Sequence, residues 1–101
     1  MKIIETDLYI NQLLKILKYI SIDKISAAKK FKQNLSKNIK NLVNFPYKYR
    51  KSHYYNDENI RDMVFERYTI IYRIKKESNI IEVLEIFKKN LPLIKDKNED
   101  N

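Results

Sequence analysis

From residue 68 to residue 74 the chain alternates with a period of two. Tyr68, Ile70, Tyr72 and Ile74 fall on one side, and Thr69, Ile71, Arg73 and then Lys75 on the other. This pattern predicts a central antiparallel strand, with one side made for a core and the other presenting hydroxyls and charge. Residues 60–65 and 80–87 read as further strands, separated from it by Glu66-Arg67 and Lys76-Glu77-Ser78-Asn79, so three consecutive strands should form an antiparallel meander. Upstream the period lengthens. Ile10, Leu13, Leu14, Leu17 and Ile20 recur at helical spacing behind Thr6 or Asp7 as a cap, which predicts an amphipathic helix ending near Ile20 and leaves Leu8, Tyr9, Ile16 and Tyr19 facing outward. After a break at Ser21-Ile22-Asp23, with Asp23 as the next cap, Ala27, Ala28, Phe31, Leu35, Ile39 and Leu42 mark a second helix. So short a connection implies an antiparallel hairpin. Pro46 disfavours the helical conformation at Phe45 and ends this helix.

The expected fold class is α+β. A short N-terminal edge strand (residues 2–5) and the helix hairpin should pack on one face of a three- to four-stranded antiparallel sheet. Residues 88–94 read as an extended arm containing Pro92, and 95–101 as a polar, frayed tail, so the expected domain is 1–94.

Composition narrows the functions. A chain of 101 residues makes one domain, able to bury roughly 60 to 70% of its extended surface without staples. It has no glycine, which excludes Gly-rich phosphate loops and with them P-loop and dinucleotide-binding functions. It has no cysteine and one histidine, His53, so thiolate metal sites and disulfides are excluded and no cofactor is expected. The N-terminus carries acids where a secretory signal is apolar, and no run approaches the ~18 apolar residues of a membrane span. The expectation is a cytoplasmic protein with no membrane partner.

The formal charge is +8, and nine cations lie between Asp23 and Asp57 with no acid among them: Lys24, Lys29, Lys30, Lys32, Lys37, Lys40, Lys48, Arg50 and Lys51. Such a block attracts nucleic acid or an acidic protein. A basic patch carries no base readout by itself, and lysine richness beside Ile, Asn and Tyr is also what an A+T-rich genome produces. In residues 47–59 tyrosines alternate with cations. That suits stacking on bases, and it equally suits rings that anchor a loop to the sheet while their hydroxyls stay wet.

Taken in order, the N-terminal strand, Ala27-Ala28 with Phe31, Leu35, Ile39 and Leu42, then Phe45-Pro46, Ile60-Arg61-Asp62-Met63, Tyr68-x-Ile-x-Tyr72-Arg73 and the run 83–89 resemble the RelE/ParE superfamily of bacterial type II toxin-antitoxin toxins. The resemblance spans about residues 2–92. In the RelE-like branch it implies cleavage of messenger RNA on the ribosome, which requires cations at the scissile phosphate, a base and an acid. That branch commonly places an arginine where this chain has Thr69, and a tyrosine or histidine after the last strand, where Phe87-Lys88-Lys89-Asn90-Leu91-Pro92 has neither. If RNA is cut, the candidates are Arg61, Arg73, Glu85, Lys88 and Lys89, with His53 as a titrating group. Glu85 has a competing role as cross-strand partner of Arg61 or Arg73.

The ParE-like branch poisons DNA gyrase by binding, without catalysis, and Arg61, the Tyr-x-Ile-x-Tyr-Arg strand and the Ile-Phe-Lys-Lys ending look closer to it. The expected target contacts are then Arg61, Arg73, Lys88, Lys89 and the C-terminal arm; the alternative for both arginines is pairing with Asp62, Glu82 or Glu85 to hold the sheet. The resemblance also implies a hetero-oligomer with an acidic antitoxin, laid along the helix hairpin or added to the sheet edge. Its expected contacts are Leu8, Tyr9, Ile16 and Tyr19 with Lys29, Lys30 and Lys37. A non-toxic binding module on the same scaffold is a third reading.

Overall fold

The structure is a computed structural model and describes residues 1–88. Strand β1 (Lys2–Glu5) leads into α1 (Asp7–Asp23) and α2 (Ile25–Lys40), then a 3-10 turn over Asn41–Val43. A long loop precedes β2 (Ile60–Phe65), β3 (Tyr68–Lys75) and β4 (Ile80–Lys88). The four strands form one sheet in the order β1-β4-β3-β2, so β3 is an interior strand, as its alternation predicts.

The sheet is mixed where a wholly antiparallel one was expected. β2, β3 and β4 form the antiparallel meander, but β1 lies parallel to β4, with Lys2 opposite Ile80 and Glu5 opposite Val83. The helix hairpin carries the chain from β1 to the far edge, where β2 begins, and two reversals return β4 alongside β1. That direction is set by the whole path, which local periodicity does not record.

α1 is anchored at its start. Thr6 Oγ1 accepts from the Tyr9 N–H at 3.1 Å, capping the helix, and donates to the Leu84 carbonyl at 2.9 Å. Gln12 Oε1 accepts from the Ile86 N–H at 2.8 Å. These bonds fix which side of α1 meets the sheet, and it is not the expected stripe. Tyr9 is fully buried in the core, and Leu13, Ile16, Leu17 and Ile20 pack against it. Ile10 and Leu14, expected inward, are exposed, Leu14 by 58%. Apolar side chains surround so much of α1 that two stripes satisfy the helical period, and the Thr6 cap selects the one containing Tyr9.

The helix also runs three residues beyond Ile20, to Asp23, and Lys24 alone connects it to α2. Asp23 is therefore not the cap of α2; Lys24 holds that position and makes no side-chain capping bond. α2 behaves as its spacing predicts, burying Phe31, Leu35 and Ile39, with Leu42 in the following turn. Phe31 packs edge-on against Phe65 and Tyr68, with ring centroids 5.3 and 5.4 Å away.

Between helices and sheet the core is apolar: Met63, Ile70, Tyr72, Ile74, Ile81, Val83 and Ile86 line the sheet side. The Tyr72 hydroxyl donates to the Pro46 carbonyl at 2.6 Å, and its burial pushes that hydroxyl's pKa far up. A bulge breaks the β3–β4 register between Ile71 and Tyr72, leaving Leu84 as the extra residue whose carbonyl Thr6 reaches. With no glycine for the tight turns, Glu66 (φ 55°) and Asn79 (φ 58°) take the left-handed conformation. Asn79 does so readily; at Glu66 it costs about 1 kcal/mol.

Candidate target-binding face

The side of the sheet away from the helices carries the charged residues. Cross-strand register sets them in rows: Ile60, Arg73 and Glu82; then Asp62, Ile71 and Glu85; then Val64, Thr69 and Phe87. This face does not simply present its residues, as the alternation of β3 suggested. Thr69 and Ile71 are both buried. The loop 47–59 returns across them: Lys51 bridges Arg61, with the Ser52 N–H donating to the Ile60 carbonyl at 2.8 Å and the Asp62 N–H to the Arg50 carbonyl at 3.1 Å. Tyr54 then crosses to β4 and packs edge-on against Phe87, centroids 5.2 Å apart. Residues 52–55 thus form a strap.

Every carboxylate on this face is engaged. Glu82 Oε1 lies 3.3 Å from Arg73 Nη1 and 3.6 Å from Lys75 Nζ. The Tyr55 hydroxyl donates to Glu85 Oε2 at 2.6 Å, and this bond, with some desolvation, raises the hydroxyl's pKa to about 12. Asp62, buried under the strap, accepts the His53 N–H at 3.0 Å through Oδ2, which also lies 3.5 Å from Arg50 Nη2. Its Oδ1 has no partner. Arg73 finds one of the partners proposed for it, Glu82. Glu85 pairs with neither arginine and holds Tyr55.

Arg61 lies on the opposite side, since it is opposite Tyr72. Its side chain is only 15% exposed, against 38% for Arg73. Arg61 Nη1 donates to the Tyr49 carbonyl and Nε to the Glu58 carbonyl, both at 3.0 Å, and Nη2 lies 3.8 Å from Glu58 Oε1. Its guanidinium sits 4.8 Å from the centre of the Tyr47 ring, and the Tyr47 hydroxyl donates to Asn59 Oδ1 at 2.6 Å. Arg61 braces the ends of the loop; Asp62, Glu82 and Glu85 are not its partners.

Lys88 is exposed at the end of β4 opposite Tyr68, while Lys89 and the C-terminal arm lie outside the described residues. The His53 side chain is exposed. Of the proposed antitoxin contacts, Leu8, Tyr19, Lys29, Lys30 and Lys37 are exposed, but Tyr9 and Ile16 face the core and leave the outward surface. Sequence reasoning gives the loop tyrosines an anchoring role but does not reach Glu85 as the partner of Tyr55, and it does not single out Ser52. The sequence offers Asp62 and Glu82 as arginine partners; Glu82 is that of Arg73, and Ile60-x-Asp62-x-Val64 places Asp62 on the side that carries Arg73. Among the described residues, no cluster of three or more His, Asp or Glu is placed to hold a metal, and no helix is long and apolar enough to cross a membrane.

The fold is thus a helix hairpin on one face of a mixed four-stranded sheet, with a polar opposite face strapped by its own loop. The family model of the ParE toxin of the type II toxin-antitoxin system parDE matches residues 3–90, and the chain belongs to that family. A solved chain from the chromosomal ParDE toxin-antitoxin system of P. aeruginosa has a similar fold, with a TM-score of 0.69 at 19% identity, covering 87% of this chain and 95% of that one. Comparison with curated protein sequences gives no match. As a toxin of this family, the protein has an antitoxin for its partner.

Proposed function

We propose that this toxin arrests growth by binding DNA gyrase and trapping it on cleaved DNA, and that it cuts no RNA. The observation that carries this reading is the state of the carboxylates on the strapped face. Cleavage at a 2′-hydroxyl needs a base open to take a proton and a cation aimed at the phosphate. Glu85 already accepts the Tyr55 hydroxyl, Glu82 holds Arg73 and Lys75, and Asp62 is sealed beneath the strap. Thr69, at the position where RNA-cutting relatives place a cation, is buried. What reaches solvent on this face suits recognition: Arg73 and Lys75, with the edges of Tyr54 and Tyr55.

The antitoxin then has a separate seat. A groove of about 460 Å³ opens where β1, α1 and α2 meet, apolar along Ile3, Ile10 and Leu13, with Lys32 and Lys40 outnumbering the one acid of its lining, Glu5. An acidic amphipathic segment fits both sides of it. The protein acts in the cytoplasm, where its target works.

The purified toxin is expected to inhibit supercoiling with accumulation of cleaved DNA, while full-length transcripts persist. Arg73→Ala should weaken poisoning about tenfold or more, the loss expected from removing a charged contact. Unimpaired gyrase beside transcripts cut within codons would overturn the reading in favour of the ribonuclease.

A further inference from the structure

The positive charge of this protein is divided between cations that the fold uses and cations that it does not. Among the described residues, every ion pair within 4 Å is made by Arg50, Lys51, Arg61, Arg73 or Lys75, all on the sheet or its loop. The lysines of α2 make none. With Phe31, Leu35 and Ile39 turned to the core, the helical period turns Ser26, Lys29, Lys30, Gln33, Lys37 and Lys40 directly outward, and all six are exposed. Four ammonium groups with no acid within 4 Å among the described residues therefore follow one helix face, Lys29 to Lys40 spanning about 16 Å.

This face contains no apolar side chain, so a partner helix would find no seam to bury there. The apolar seam lies on α1, at Ile10 and Leu14, beside the groove already described. Beyond the last turn of α2 comes a different feature, a flat apolar patch formed by Phe45 and Pro46 between Asn44 and Lys48. Phe45 is 63% exposed. The neighbouring Tyr47 ring already carries two cations, Arg61 and Lys76, which leaves Phe45 as the unoccupied ring. A row of cations for phosphates and an exposed ring for a base are the two components of sequence-tolerant single-strand binding.

We propose that the outward face of α2 and Phe45 form a binding site for single-stranded nucleic acid, with Lys29, Lys30, Lys37 and Lys40 along the phosphates and Phe45 stacked on a base. The site lies on the helix layer, apart from the strapped sheet face, and does not rest on gyrase being the target. It confers no sequence preference, because nothing on it reads base edges.

The test is fluorescence anisotropy of the full-length protein with a labelled oligothymidylate, titrated with salt. Three to four neutralised phosphates predict a slope of log K against log salt of about −2 to −3. Combined Lys30→Gln, Lys37→Gln and Lys40→Gln should flatten that slope by about 2 and cost at least about tenfold in affinity at low salt. Phe45→Ala should cost about fivefold or more and leave the slope unchanged. All four side chains are exposed, so the variants should melt as the parent does, which separates lost binding from lost fold. The proposal is overturned if the lysine variant binds like the parent. It is overturned equally if a duplex binds better than the single strand and Phe45→Ala affects neither, or if polyglutamate binds as tightly as the oligonucleotide with the same lysine dependence. That last result would assign the face to an acidic protein.

Discussion

The two sides of the sheet are built from the same strands and solve opposite problems. Against the helices, Ile70, Tyr72, Ile74, Val83 and Ile86 interlock with two helices, and stability comes from apolar area and close packing. On the other side Arg73, Glu82, Asp62 and Glu85 are held by polar, directional bonds, and the strap adds one ring contact, Tyr54 on Phe87. The first side explains why the protein folds. The second explains how it keeps a charged surface ordered. Two neighbouring residues of β3 illustrate the contrast: Ile70 and Thr69 are equally buried but face different layers.

The largest expected effect breaks the first side. Ile70→Ala should cost about 2–5 kcal/mol, because the rigid helix layer cannot collapse into the space, whereas Thr69→Ala, beneath a strap able to settle, should cost about 1 kcal/mol. Urea denaturation of the two variants measures the difference. Equal losses would mean that the strap packs as a true second core.

The two arginines give the next effect. Arg61→Ala removes bonds to the Tyr49 and Glu58 carbonyls that its charge strengthens, and should cost about 2 kcal/mol. Arg73→Ala removes a partly exposed pair and should cost less than about 1 kcal/mol. Toxicity should follow the opposite order, with Arg73→Ala losing it at nearly unchanged stability. A growth assay beside a thermal melt compares them, and an Arg73 variant that unfolds would return that residue to the scaffold.

How much of this was legible in the sequence follows the range of the signal. The alternation in β3, the stripe of α2 and the meander are local patterns, and each appears as its spacing predicts. The parallel pairing of β1 depends on the path of the whole chain. The rotation of α1 depends on Thr6 reaching Leu84, a contact 78 residues away in sequence. For the site, Arg73 with Glu82 was readable, since both fall in alternating strands. For Arg61 the sequence offers a target contact or a pairing with Asp62, Glu82 or Glu85, and nothing in it shows that Glu58 and Tyr49 fold back onto this side chain. The tyrosines of 47–59 suit loop anchoring, but residues 52–55 have no period to say where: their partners Asp62, Glu85 and Phe87 are met only in three dimensions.

The smallest expected effect probes that strap through pH. The Tyr55 hydroxyl, ordinarily titrating at 10.0, is raised to about 12, chiefly by its bond to Glu85. The folded state therefore holds this proton more tightly than the unfolded chain. The bond's contribution is complete below the unfolded value and is lost as pH rises from 10.0 through about 12. Tyr9 and Tyr72 are raised as well, by burial, so the parent protein should weaken in alkali for several reasons. Subtraction isolates Tyr55. At neutral pH Tyr55→Phe should cost less than about 1 kcal/mol, since the bond is partly exposed and screened. The stability difference between parent and variant should then shrink across the alkaline window, as the parent loses what the variant never had. Denaturation midpoints at neutral pH and within that window measure it. A constant difference would show that Tyr55 holds the strap by ring packing alone, and would leave Glu85 open to a proton, the one change that would move the polar face back toward cleavage.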